Sequence, residues 1–325
     1  MSYTGPGFEP PHTRRSRLRR PLTVAVAALV PGALLGWVVY EAVGGSGGAG
    51  GAAVSSSAVR TPAEATSRAA SSPAAPSPSA PSPSDDRKVP GPEASATSPA
   101  SGPLSGKVVV IDPGHNPGNF QHTSEINRTV DIGTGRKECD TTGTSTNDGY
   151  IEARFTLDVS RRLRELLQAQ GATVELTQDE DRAFGPCIDE RARIGNAAKA
   201  DAVVSVHADG SGAGNRGFHV ILPAAVSQGA ADTRDIVAPS RELGERIAGS
   251  FVRVTGSAPS NYVGNGTGLV TRGDLGGLNL STVPKVFIEC GNMRDTKDAA
   301  LLTSGAWRQK AAQGISEGIV SFLRG

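Results

Sequence analysis

The sequence predicts an α/β domain whose mostly parallel, twisted sheet is flanked by helices. Three short runs of apolar, largely β-branched residues have the composition of strands buried on both faces; they lie at residues 108–111, 202–206 and 286–288. Segments with helical periodicity alternate with these strands, and such alternation is typical of parallel sheets. Each run is followed closely by a histidine or a glutamate, so the candidate site is expected at the carboxyl edge of the sheet.

The other elements follow from periodicity and from residues that begin or end helices. Helices are predicted at residues 151–170, 188–199, 240–255 and from Trp307 to Leu323, and further strands at 173–177 and 217–222. Gly171 suits the position after the first helix, and Ser240 suits the N-cap of the third. Residues 116–150 and 264–280 are rich in glycine and small polar residues, which predicts long loops.

The N-terminal part of the chain has a different composition. Residues 1–20 end in an arginine-rich run, residues 21–43 are apolar and almost uncharged, and residues 44–103 are mostly glycine, alanine, serine and proline. The apolar segment is long enough to cross a bilayer, and the basic run before it places the N-terminus in the cytoplasm. We therefore predict a membrane anchor, with a cleaved signal peptide as the alternative. A disordered linker and an extracytoplasmic folded domain at residues 104–325 follow.

Three residues of this domain could bind a metal ion, and a fourth could act as a base. His115 and His207 follow strands, Glu152 opens a helix, and Glu289 ends a buried strand. Metal-dependent hydrolysis needs three protein ligands, an open position and a nearby base. Structural roles compete with this interpretation, because histidines often only pack and Glu152 could simply complement the helix dipole. A buried carboxylate such as Glu289 needs a partner or a task, whereas His219, inside a strand, is interpreted as structural.

Several segments together match a known pattern. They are Ile111-Asp-Pro-Gly-His115, Glu152 at a helix start, Asp189 to Asp201, Val204 to Asp209 and Pro284 to Met293. The pattern resembles the zinc-dependent N-acetylmuramoyl-L-alanine amidases of the type-three amidase family, over about residues 104–325. The resemblance implies Zn²⁺ held by His115, Glu152 and His207, with Glu289 as the catalytic residue. The implied reaction uses a zinc-activated water to hydrolyse the amide between N-acetylmuramic acid and L-alanine in peptidoglycan.

The resemblance is strongest to the mycobacterial and actinobacterial branch, through residues 273–279 and the positions of Cys139 and Cys187. Three cysteines in a chain routed outside the cell suggest one disulfide and one leftover thiol. We predict a Cys139–Cys187 bridge that ties the long loop to the connection before the next helix. Cys290 is then a buried free thiol, and a nucleophilic role for it is the alternative.

The chain departs from the family pattern at two places near the predicted cleft. Asn116-Pro117-Gly118 stands where many members have Gly-Gly, and Thr177-Gln178 stands where many have Thr-Arg. From their loop positions, Arg272, Asp209 and Asn279 are expected to contact the substrate peptide. No insertion in the chain looks able to form a self-blocking helix, so we expect a constitutively open site.

Two other functions remain compatible with the sequence. One is a zinc peptidase that acts on the peptidoglycan stem peptide, and the other is a wall-binding module that has kept the fold without activity. The expected partners are peptidoglycan and, through the N-terminal segment, the membrane. The charge argues against nucleic acid, because the net charge is only +1 and the positive excess lies in residues 1–20. A monomer is expected.

Overall fold

The structure is a computed structural model that describes residues 102–325. The predicted basic tail, the predicted apolar segment and all but the last two residues of the predicted linker lie outside the described residues. Within residues 102–325, no helix has both the length and the apolar character needed to cross a membrane.

The described residues form ten strands and seven α-helices. The strands are β1 (Val108–Pro113), β2 (Thr129–Asp131), β3 (Arg136–Glu138), β4 (Thr173–Leu176), β5 (Ala202–Asp209), β6 (His219–Pro223), β7 (Ser227–Gln228), β8 (Ala231–Asp232), β9 (Leu269–Arg272) and β10 (Lys285–Asn292). The helices are α1 (Thr123–Ile126), α2 (Glu152–Ala169), α3 (Ile188–Ala197), α4 (Val237–Thr255), α5 (Gly276–Asn279), α6 (Thr296–Leu302) and α7 (Gly305–Arg324).

Six strands form the central sheet, in the order β4-β1-β5-β10-β6-β9. β4, β1, β5 and β10 are mutually parallel, whereas β6 runs antiparallel to β10 and parallel to β9. The predicted mostly parallel sheet with flanking helices is therefore confirmed. The reversal at β6 has a simple cause, because the connection from β5 spans only residues 210–218 and is too short for a parallel crossover.

The two faces of the sheet have different chemistry, since neighbouring residues of a strand point to opposite sides. One face is apolar and packs with α2, α4 and α7 into a single core that contains Val204, Val206 and Ile288. The other face carries Asp112, Ser205 and Lys285, all buried, and α3 lies against its apolar patch at Val110 and Val203. The site residues His207 and Glu289 belong to this polar face, at its carboxyl edge.

Three sequence predictions are corrected by the structure. The predicted loop at 264–280 contains β9 and α5, and the predicted loop at 116–150 contains α1 and the β2–β3 hairpin. Ser240 is not an N-cap, because α4 begins at Val237, and the Ser240 hydroxyl instead accepts a hydrogen bond from the Lys285 backbone N–H at 3.1 Å. These elements are short and depend on contacts with distant segments, which local periodicity does not report.

Helices α4 and α7 approach closely because α7 has glycine at the contact. A Cβ atom at Gly318 would lie 2.5 Å from the Ile247 Cα atom and 2.8 Å from its backbone nitrogen. A backbone neighbour cannot rotate away as a side chain can, so any larger residue at position 318 must push the helices apart.

We expect Gly318→Ala to lower the free energy of unfolding by about 1–3 kcal/mol. Gly249→Ala is the matched control, because Gly249 lies inside α4 and a Cβ atom there would have no other atom within 4 Å. That change should stabilise the protein by about 0.5–1 kcal/mol, since alanine is the better helix former. Urea unfolding measures both, and equal shifts for the two variants would contradict the close helix contact.

Candidate metal centre

The structure brings His115, Glu152 and His207 together at the carboxyl edge of the sheet. His115 follows β1, His207 lies near the end of β5, and Glu152 is the first residue of α2. One ligand atom from each residue lies within 4.8 Å of the other two. Glu152 bridges the two rings, with Oε2 3.2 Å from His115 Nε2 and Oε1 3.0 Å from His207 Nδ1.

Two glycines make room for this convergence. A Cβ atom at Gly114 would lie 2.3 Å from His207 Cε1, so a side chain there would displace the ring. Gly143 has φ +73°, and its Cβ would approach both His115 and Glu152 within 3 Å. His115 itself has φ 62°, the left-handed region that costs a non-glycine residue energy. Strain of this kind is typical of residues that a functional site holds in place.

Hydrogen bonds to the far side of each imidazole decide which nitrogen faces the cluster. His115 Nδ1 lies 3.1 Å from the Thr141 carbonyl and 3.4 Å from Asp140 Oδ1, so its proton is held there and Nε2 faces Glu152. His207 Nε2 lies 3.2 Å from Ser205 Oγ, and Nδ1 faces Glu152. Metal-binding histidines use such partners to fix tautomer and ring orientation.

A buried ionic network connects these far-side partners to each other. Arg191 donates to Asp140 Oδ2 at 3.0 Å and to Asp112 Oδ1 at 2.8 Å. Asp112 Oδ2 in turn accepts from Ser205 Oγ at 2.9 Å and from Lys285 Nζ at 3.1 Å. The two imidazoles are thus linked, through Asp140 on one side and Ser205 on the other, to one Asp112–Arg191 pair.

The sequence pattern assigns no role to this network. Asp112 stands out there only as part of a strand stop, and Arg191 only as part of a matching segment. The sequence contains one hint of the network, because a charged residue comes directly after four apolar strand residues. A charged side chain that is buried must be paired. Its partner at position 191 lies 79 residues away, and no local pattern identifies such a partner.

The electrostatics of the cluster favour a positive charge at its centre. Burial by itself lowers the pKa of His115, but Glu152 and Asp140 outweigh burial and raise this pKa well above its usual value. Burial opposes ionisation of Glu152, and the neighbouring His115 and His207 nevertheless lower the pKa of this carboxyl. Burial also opposes ionisation of Asp140, but the Arg191 charge, together with His115 and Asn119, lowers the pKa of this carboxyl to about 2. A carboxylate that is ionised between two imidazoles is suited to a cation.

Glu289 stands next to this cluster on the same face of the sheet. In β10 it is the register partner of His207 on one side and of His219 on the other. Its Oε2 atom is shielded from solvent and has no hydrogen-bond partner among the described residues. Burial, together with the nearby Glu152 and Asp209 charges, raises the pKa of Glu289 well above its usual value. These surroundings favour the protonated form of the carboxyl more than water does.

The three predicted substrate contacts have different surroundings, and their roles stay predictions. Asp209 accepts a hydrogen bond from the Tyr262 hydroxyl at 2.6 Å. Arg272, at the end of β9, pairs with Asp274 at 2.6 Å, and about two fifths of its side chain is exposed. The Asn279 side chain is buried, and its amide donates to the Thr134 hydroxyl and the Gly273 carbonyl. This placement favours a role in shaping the loop over direct contact.

The residues that depart from the family pattern support backbone around the site. Asn116 donates to the Gly185 carbonyl at 3.0 Å, and Gln178 donates to the His115 carbonyl at 3.2 Å. They therefore hold the residues next to the cluster, and neither replaces a member of it.

The predicted disulfide is present. Cys139 and Cys187 are bonded and close a loop across 48 positions of sequence, which ties the segment after β3 to the start of α3. Cys290 is free and buried in the apolar core. Burial and the nearby Glu289 and Glu152 charges raise the pKa of its thiol well above the usual value. These surroundings do not favour a nucleophilic role for Cys290.

A cavity of about 250 Å³ opens beside the cluster. Its lining includes His115, His207 and Phe287 together with Ile188 and Leu275. The Phe287 ring stacks on His207, with centroids 5.2 Å apart. The space next to the cluster is therefore bounded by apolar side chains and also by charged ones, among them Lys137 and Glu138.

Fold and site together define an α/β protein in which three residues that could hold a metal ion lie beside a buried glutamate at one edge of the sheet. The family model described as N-acetylmuramoyl-L-alanine amidase matches residues 109–321. The chain therefore belongs to the N-acetylmuramoyl-L-alanine amidase family.

Individual relatives agree with this assignment. The chain is 41% identical to the N-acetylmuramoyl-L-alanine amidase Rv3717 of Mycobacterium tuberculosis over 237 residues, which cover 71% of this chain and 92% of the relative. The crystal structure of the amidase Ami1 from Mycobacterium smegmatis matches with a TM-score of 0.62 and 39% identity, over 69% of this chain and 99% of that one. The crystal structure of Ami1 from Mycobacterium abscessus, in its apo form, matches with a TM-score of 0.62 and 40% identity. The match covers 68% of this chain and 100% of that one.

Proposed function

We propose that this protein is a zinc-dependent amidase that hydrolyses the bond between N-acetylmuramic acid and L-alanine in peptidoglycan. The amidase reaction is that of the family to which the chain belongs. The observation that carries the proposal is the convergence of His115, Glu152 and His207 beside Glu289.

The donor set suits zinc. Two imidazole nitrogens and one carboxylate oxygen form a ligand set that is common in catalytic zinc sites, where a fourth position stays open. The fixed tautomers leave His115 Nε2 and His207 Nδ1 as lone-pair donors toward the same space. When bound there, zinc supplies Lewis acidity, which makes water more acidic and polarises the scissile carbonyl.

The residues of the chain then move the protons. Glu289 takes a proton from the attacking water as the new carbon–oxygen bond forms. The same carboxyl returns a proton to the L-alanine nitrogen as the carbon–nitrogen bond breaks. Burial and the nearby Glu152 and Asp209 charges raise the pKa of Glu289, which supports the second half of this role, in which the protonated carboxyl returns its proton to the amine.

We propose further that the domain works outside the cell, tethered by residues 21–43 through a linker at 44–103, with secretion after cleavage as the alternative. The apolar composition of the first segment and the small, polar composition of the second support this arrangement. All four site residues come from one chain, which is compatible with a monomer. Between residues 116 and 150 the described helices are single turns, Asn119–Gln121 and α1, which supports a constitutively open site.

Analysis of the released products tests the proposed bond. We expect the enzyme to release intact stem peptides with a free L-alanine amine from purified peptidoglycan, as measured by mass spectrometry. A chelator should abolish release and added Zn²⁺ should restore it, since the metal is held only by three side chains. Shortened peptides that remain attached to muramic acid would instead identify a stem-peptide peptidase. Absence of any product together with retained wall binding would identify an inactive binding module.

A further inference from the structure

Two polar atoms next to the cluster of His115, Glu152 and His207 lack hydrogen-bond partners among the described residues. Glu289 Oε2 and His219 Nδ1 are both shielded from solvent, and neither has a hydrogen-bond partner among residues 102–325. Only 6% of the His219 surface is exposed. Native proteins satisfy nearly all buried polar groups, so an unsatisfied one requires an explanation, and catalysis is a common one.

The two residues are neighbours by strand register. His219 in β6 lies directly opposite Glu289 in the antiparallel β6–β10 pair. Such partners point to the same face of the sheet, with Cβ atoms about 4.5–5.5 Å apart. The imidazole therefore faces the carboxyl of the base from the side opposite to His207, the metal-cluster residue paired with Glu289 in β5.

The other side of the His219 ring is held in place. The Tyr262 ring packs edge-to-face on it, with centroids 5.9 Å apart and an interplanar angle of 89°. Tyr262 is itself fixed by its hydroxyl, which donates to Asp209 Oδ2 at 2.6 Å. His219 is thus enclosed between Tyr262 and Glu289, and a simple packing role would be served equally well by a ring without nitrogen.

We propose that His219 is a positioning residue for Glu289, and that its Nδ1–H donates a hydrogen bond to Glu289 Oε2 in the working enzyme. The proposal rests on the proposed amidase function, in which Glu289 is the base. With Oε2 held by His219, the other carboxylate oxygen is directed toward the metal side, where water must be deprotonated. Hydrogen bonds of this kind are often long before substrate binds and shorten in the complex.

A neutral imidazole is the form that the surroundings favour. Burial lowers the pKa of His219, and the nearby Arg272 charge lowers it further, against the opposing effect of Asp209. A neutral ring keeps one N–H for donation and adds no charge beside the base. The alternative is the sequence-based interpretation, in which His219 is a purely structural residue.

Two carboxamide substitutions distinguish the roles of the two ring nitrogens of His219. The amide nitrogen of asparagine can occupy the position of Nδ1, whereas that of glutamine reaches the position of Nε2. With the full-length zinc-loaded enzyme and a soluble muropeptide, we expect His219→Phe to lower kcat about 10- to 100-fold with little change in KM, the cost of a misplaced catalytic group. His219→Asn should recover most of the loss, and His219→Gln should not.

His122 provides the matched control, because it is a loop histidine paired with Glu125 outside the cluster. His122→Asn and His122→Gln should both retain wild-type kcat. Wild-type kcat in His219→Phe, equal activity of His219→Asn and His219→Gln, or rescue by glutamine alone would each overturn the proposal.

A second measurement does not depend on activity. In protein labelled with ¹⁵N-histidine, the Nδ1 resonance of His219 should be that of a protonated nitrogen and should shift in Glu289→Gln, while that of His122 stays unchanged. An unprotonated Nδ1 or an unchanged resonance would exclude the hydrogen bond. If wild-type protein releases no stem peptide, the proposed function fails, and this spectrum still decides the His219–Glu289 contact.

Discussion

Replacing Glu289 by glutamine is expected to lower kcat for stem-peptide release about 10²- to 10⁴-fold, the usual contribution of a general acid–base residue. The amide has nearly the shape of the carboxyl but cannot accept the proton of the attacking water. Glu289 is not among the three residues whose ligand atoms converge, so the variant should still bind one Zn²⁺. Metal content by atomic emission and product release by mass spectrometry measure the two effects separately.

Two further glutamates make this experiment specific. Glu152→Gln should lose both activity and zinc affinity, because the amide removes the anionic donor between His115 and His207. Glu165→Gln should change neither, since Glu165 is exposed on α2 away from the cluster. A Glu289→Gln enzyme with near-normal kcat, or one that has lost its zinc, would show that position 289 is not the base.

Replacing Arg191 by methionine is expected to lower the free energy of unfolding by about 3–5 kcal/mol, the usual cost of removing one partner from a buried ion pair. The change leaves Asp112 and Asp140 buried without their shared cation. Asp140 is itself a far-side partner of His115, and Asp112 holds Ser205, the far-side partner of His207, so zinc affinity should also fall about 10- to 100-fold. Urea unfolding and competition with a chelator measure the two quantities.

Arg191→Lys and Arg161→Met complete the comparison. Lysine keeps the charge but lacks the fork that reaches two carboxylates at once, so only part of the stability should return. Arg161 makes its ion pairs with Asp179 and Glu180 at the surface, where its side chain is 40% exposed. Its loss should cost about 0–1 kcal/mol. Similar costs for Arg161→Met and Arg191→Met would mean that the buried network has no special role.

Local patterns predict the long elements of this fold well. The strands around residues 108–111, 202–206 and 286–288 can be identified because burial on both faces leaves a continuous apolar run. The long helices can be identified because burial on one face leaves a period of about 3.6 residues in the sequence. Local patterns do not predict strand β9, the two strands of the β2–β3 hairpin or helix α5. Each of these elements is only three or four residues long. The N-cap prediction for Ser240 is wrong for a related reason, because its partner, the Lys285 backbone, lies 45 residues away.

The residues of the site divide in the same way. His115, His207 and Glu289 can be singled out because each follows a buried strand, and the family pattern adds Glu152. The partners that orient them, Arg191 above all, cannot be found, because nothing in the sequence states which of many charged residues meet across the sheet. In the sequence, His219 has the pattern of a packing residue. Only the strand register of the folded sheet shows that it faces Glu289.

The sequence alone therefore determined the α/β class, the family, the candidate ligands and base, and the disulfide pair. The tertiary structure decided the reversed direction of β6 and β9, the hydrogen-bond partners of the two imidazoles, the buried Asp112–Arg191 pair and the position of His219 opposite Glu289. The physical reason is that hydrophobic periodicity is a property of the local sequence and can be recognised without the fold. Hydrogen bonds and ion pairs at a site, in contrast, join groups that only folding brings within about 3 Å of each other.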